Sequence, residues 1–154
     1  VELRRLLVHI YFVSPCRDMA NGATCAATDD GGRPIPTLKR LELGATATAP
    51  RLDIVPVAEG IENLQIDYGL DQDDDGFADQ YVAAPATLAD WGRAVAVRFH
   101  LLARNTDPSP GHKDTKTYDL GGAARVGPFE DAFKRHVYVD TVRAVNLVGR
   151  RATE

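Results

Sequence analysis

Residues 64–81 read LQIDYGLDQDDDGFADQY. The first half alternates: Leu64, Ile66 and Tyr68 fall on one side of an extended chain and Gln65 and Asp67 on the other, the period-two pattern of a strand with one covered face. The second half crowds Asp71, Asp73, Asp74, Asp75 and Asp79 together. At an effective dielectric of about 20, two unit charges roughly 4 Å apart repel by about 4 kcal/mol. Such a stretch is therefore either splayed in water or gathered round a cation.

The spacing favours the cation. Asp71, Asp73, Asp75 and Asp79 stand at the first, third, fifth and ninth positions of a loop whose sixth residue is Gly76, the layout of an EF-hand-type calcium loop. Ca2+ is a hard ion that takes about six to eight oxygens, and alternate residues of a tight loop can turn carboxylates toward one centre. Gly76 supplies the sharp turn, Phe77 would offer its backbone carbonyl, and Asp74 would point outward. The bidentate Glu that closes an EF-hand is replaced by Val82, and a strand, not a helix, leads in. Residues 71–79 thus read as a lone calcium loop on a β-strand, without sensor behaviour. A solvated acidic turn is the competing reading. Magnesium on a phosphate is disfavoured, because no phosphate-cradling Gly-rich loop or Lys lies beside the aspartates.

Around this loop the chain has 154 residues, 44% hydrophobic and 26% charged, which fits one globular domain spanning 1–154. The net charge of −4 and the lack of a basic stripe with interleaved aromatics argue against a nucleic-acid partner. No run of apolar residues is long enough to span a bilayer. The opening VELRRLLVHIYFV has no initiator Met, signal peptide or cap residue, and reads as a piece whose upstream part has been removed.

Cys16 and Cys25 are the only cysteines, set in a loop rich in small and polar residues. They lack the second ligand pair of a structural zinc site. A disulfide between them would imply an oxidising compartment, where calcium is also plentiful. Two buried free thiols are the alternative.

Further strands are expected at 5–13, where Leu6, Val8, Ile10 and Phe12 share a face, at TLKRLEL (37–43), at AVAVRFHLLAR (94–104), at KTYDLGG (116–122) and in HVYVDTVRAVNLV (136–148). Residues 44–51 read as a loop, VAEGIENL as ambiguous, and single helical turns are expected at ATLADW and, from Pro128, at GPFEDAF. NTDPSPGHKD (105–114) reads as an exposed turn segment, and Trp91 as a core residue. The sum is an α+β or mostly β domain: one antiparallel sheet with short helical turns. Those turns are too short to cover the apolar face, so a second layer or a missing long helix is required.

Catalytic signatures are absent: no GxSxG elbow, no HExxH, no Walker sequence, no dinucleotide fingerprint. His9, His100 and His136 lie in strand patterns and His112 in a polar loop, positions where a structural histidine outweighs a catalytic one.

Taken together, VAEGIENLQIDYGLDQDDDGFADQY, Trp91 leading into VAVRFHLLAR, then DTKTYDLGG and FKRHVYVDTVRAVN resemble the C-terminal region of PilW-type minor pilins of type IV pili. VHIYFV, the cysteine pair and RPIPTLKRLEL are similar to that family's middle region. The resemblance implies a pilin-like α+β head without its N-terminal hydrophobic helix and processing site. It also implies anchoring in the inner membrane facing the periplasm before assembly, and then residence in the pilus at the cell surface. Its partners would be other minor pilins and a large tip adhesin, and its role assembly initiation or the tip complex, not catalysis. Two other classes stay open: a secreted calcium-dependent binding module, and an extracellular hydrolase with a structural calcium.

Overall fold

A computed structural model describes residues 7–19, 24–46, 48–122 and 125–144. The expected strand residues at 5, 6 and 145–148 lie outside this set. In chain order the elements are β1 (His9–Ser14), α1 (Asp29–Gly32), β2 (Thr37–Ala45), β3 (Pro50–Glu59), β4 (Ile61–Leu70), β5 (Gln80–Val82), α2 (Leu88–Gly92), β6 (Ala94–Arg104) and β7 (Arg135–Arg143). They form two sheets, ordered β1-β2-β3 and β5-β4-β6-β7. The fold is mostly antiparallel β, which corrects the α+β expectation: among the described residues helix is confined to two single turns. It also corrects the expectation of one sheet. No described helix is long and apolar enough to cross a membrane.

Two compact units result, one formed by Val1–Glu62 with Arg104–Asp107, the other by Asn63–Ala103 with Pro108–Glu154. In the first, β2 pairs with both neighbours, and the register stacks Ile10, Leu41 and Ile54 in one row and Leu43 against Leu52 in the next. This face is uncovered: Ile10, Leu43, Leu52 and Ile54 are about half exposed. Strand β3 was expected to be partly loop. Pro50 and Pro56 mask its pattern, and both are tolerated because β3 is an edge strand.

A disulfide joins Cys16 to Cys25, so the free-thiol alternative falls away. Asp30 organises the loop round it, accepting the backbone N–H groups of Arg17, Asp18 and Ile35 at 2.9, 2.8 and 2.8 Å. Burial alone would raise the Asp30 carboxyl, but these three donors hold it below the ordinary carboxylate value. The bond closes a separation of 9 residues. Replacing both cysteines by serine is expected to cost about 2–3 kcal/mol in urea denaturation; an unshifted midpoint would deny the bond that role.

In the second unit, Leu102, Tyr118 and Leu120 form the core, with Val126 and Val137 packed against it. Residues 108–135 are held by a buried ion cluster. The Arg135 side chain, 1% exposed, donates to Asp114 Oδ2 at 2.9 Å and to both Asp131 oxygens at 2.6 and 2.7 Å. Its guanidinium lies 3.9 Å from the Phe129 ring centre, and the Tyr118 hydroxyl donates to Asp114 at 2.9 Å. This cluster explains two corrections. The segment 105–114 is not wholly exposed, since Asp114 is buried. The helical turn expected from Pro128 does not form: Glu130 takes a left-handed φ of 59°, and Glu130 and Asp114 N–H bond to the Asp114 and Asp131 carbonyls instead. At KTYDLGG a single bridge, Tyr118 to Val126, replaces the expected strand.

Candidate metal centre

The acidic loop hangs between β4 and β5, and its first residue is its anchor. Asp71 is 1% exposed, its N–H donates to the Arg93 carbonyl at 3.0 Å, and its Oδ2 accepts the Gly76 N–H at 2.9 Å. That bond folds the loop back on itself across Gly76, whose φ of 86° is a left-handed conformation that costs glycine nothing. Asp74 also lies in this region, at φ 63°, and is exposed.

Asp79 closes the loop from the other side. Its N–H donates to the Leu70 carbonyl at 2.9 Å and its Oδ2 accepts the Gln72 N–H at 2.7 Å. Carboxylate oxygens of Asp71, Asp73 and Asp79 consequently come within 4.8 Å of one another. Hard oxygen donors gathered so closely are the donor chemistry of calcium or magnesium. Asp75 stands outside that group, and its Oδ1 accepts the Phe77 N–H at 2.7 Å. Phe77 itself is 63% exposed.

Arg143, at the end of β7, was not legible as part of this loop. It donates to the Gly76 carbonyl at 2.7 Å and lies 4.7 Å from the Phe77 ring centre, fastening the loop to a strand 67 positions away. Trp91, read as core, is instead 47% exposed and meets Tyr68 edge-on at 4.9 Å. The α2 turn that carries it is fixed by a reciprocal Thr87–Asp90 capping box.

The histidines offer no comparable centre. His100 is buried on β6, with Nε2 3.0 Å from Asp67 Oδ2 on β4, and the Gly122 N–H points at the same carboxylate at 3.3 Å. Gly121 lies directly on the pair: a Cβ there would come within 2.3 Å of Asp67 Oδ2 and 2.5 Å of His100 Nε2. The pair is a closed structural tie, sealed by backbone.

Comparison with known proteins adds the class. The family model described as Type IV Pilus-assembly protein W matches residues 20–146. The chain therefore belongs to the PilW family of type IV pilus assembly proteins. No curated protein and no solved structure matches it. Membership brings a role in pilus assembly, contact with other pilus components, and a periplasmic or pilus-associated location; the family is defined by assembly, not by catalysis.

Proposed function

We propose that this chain is the head of a minor pilin, acting in assembly initiation or in the tip complex with other minor pilins and a large tip adhesin. The family match over residues 20–146 carries the reading. The uncovered row of Ile10, Leu41 and Ile54 supports it, since a hydrophobic helix of the kind that anchors pilins needs such a face to pack on. Removing the gene from a piliated host should abolish or sharply reduce surface pili while the major subunit is still made. Normal piliation in that strain would refute the role.

Within the head, the acidic loop serves as a structural calcium staple, with Asp71, Asp73 and Asp79 as carboxylate ligands. Binding to the folded form alone stabilises by about 2.7 kcal/mol when calcium is at roughly a hundred times its Kd. For a chain of this size that is an upward shift in melting temperature of about 5–10 °C. Asp73→Ala with Asp79→Ala should erase the difference between calcium and chelator; equal melting of the parent protein in both would eliminate the staple.

A further inference from the structure

The four-stranded sheet ends on β7, and among the described residues no strand pairs with its outer edge. The Ala144 N–H donates to the Val95 carbonyl of β6 at 2.7 Å. Backbone groups alternate in an antiparallel ladder, so Tyr138, Asp140 and Val142 also turn theirs toward β6, while Val137, Val139, Thr141 and Arg143 turn theirs outward. One outward donor is occupied: the Asp140 carboxylate accepts the Thr141 N–H at 2.8 Å.

Exposed edges are ordinarily blunted by proline, charge or shortness. Strand β3 carries Pro50 and Pro56, and β5 has 3 residues. Strand β7 has 9 residues and no proline, and Tyr138, Val139 and Val142 are more than half exposed. The same strand borders a recess of about 260 Å³, in which Thr141 and Arg143 face Phe77, Ala78, Tyr81 and Ala96. Residues directly opposite on neighbouring strands share a face. A residue paired with Thr141 would therefore point to the recess, whose walls are mostly apolar and whose size suits a leucine or phenylalanine side chain.

We propose that the outer edge of β7 and this recess form a strand-addition site. An extended segment of another pilus component lies along β7 as a fifth strand, bonds through its main chain to Val137, Val139 and Arg143, and places one large apolar side chain in the recess. Main-chain bonding gives affinity in this mode, and the pocket gives selectivity. A second copy is a poorer occupant: antiparallel pairing about Val139 sets Arg135 against Arg143 at both ends and places no large apolar side chain opposite Thr141, whose counterpart is Val137. That the partner is a pilus component rests on the function proposed above; the edge and recess do not.

The test measures binding of the full chain to purified soluble domains of the host's other minor pilins and tip adhesin. Val139→Pro removes an outward N–H and leaves the ladder to β6 intact, whereas Thr141→Trp fills the recess without touching the main chain. Each should weaken binding by about tenfold or more, a loss of roughly 1.4 kcal/mol, with parental circular dichroism. If Val139→Pro does not fold, Thr141→Trp decides. Parental affinity in the folded variants overturns strand addition and leaves the proposed function standing. Failure of every component to bind the parent chain overturns both. Self-association abolished by Val139→Pro makes the occupant a second copy and overturns the inference as stated.

Discussion

Replacing Arg135 by alanine is expected to lower the unfolding free energy by about 3–5 kcal/mol, the cost of leaving a buried charge uncompensated. The size follows from burial: the side chains of Arg135 and Asp114 are each 1% exposed, and Asp131 at 33% completes the cage. Without the guanidinium, Asp114 keeps only the Tyr118 hydroxyl and the Lys116 N–H as donors, and Phe129 loses the cation on its ring. Urea denaturation measures the loss, and a change below about 1 kcal/mol, the range of an exposed pair, would mean the cluster is hydrated in solution. Acid unfolding supplies a second reading. Burial would raise the Asp114 carboxyl, but the bonds from Arg135 and Tyr118 outweigh it and hold the group below its ordinary value. A depressed folded value contributes stability that is present above the unfolded value and lost as pH falls through the folded one. Arg135→Ala should therefore move the acid midpoint to higher pH. Tyr118 has the opposite sign. Burial and then the Asp114 bond push its phenol up to about 12, so its contribution is present below the unfolded value and is lost as pH rises through about 12.

Gly121→Ala is the next largest effect, with an expected cost of about 2–5 kcal/mol from a left-handed alanine together with overpacking. Its φ is 81°, and its missing Cβ is the space filled by Asp67 Oδ2 and His100 Nε2. A methyl group there must push the buried carboxylate and imidazole apart. Gly122→Ala is the internal control, because its nearest neighbour would be Asp67 Oδ1 at 3.2 Å and it carries no left-handed φ. A small cost for Gly122→Ala beside a large one for Gly121→Ala is the expected result. Equal costs would show that close approach to the Asp67–His100 pair is not what Gly121 provides.

The strands with uninterrupted alternation were legible: β2, β4, β6 and β7 lie close to where the period-two pattern places them. Strand β3 was not, because proline in PRLDIVPVAE reads as a breaker unless the strand is known to be an edge. The turn expected from Pro128 failed for another reason. Propensity favoured a helix start, but bonds to Asp114 and a guanidinium from Arg135 fix the backbone differently, and nothing local announces partners that far away. The same division holds at the site. The DxDxDG spacing and the ninth position of the motif point to Asp71, Asp73, Asp75 and Asp79, of which the structure gathers the carboxylates of Asp71, Asp73 and Asp79. Asp75 Oδ1 accepts the Phe77 N–H, and Arg143 gave no signal because its contact is made only once β7 docks. Trp91 was misplaced by residue type: an indole reads as core, yet α2 is one turn held by its own cap and leaves the ring on the surface against Tyr68.

The carboxylate of Asp140 carries one further consequence. It holds the Thr141 amide hydrogen, one of the outward-facing donors of β7. If a strand adds along β7 as proposed, it would have to displace that carboxylate or take an alignment that leaves it in place, so this one acidic side chain would bear on the frame of docking.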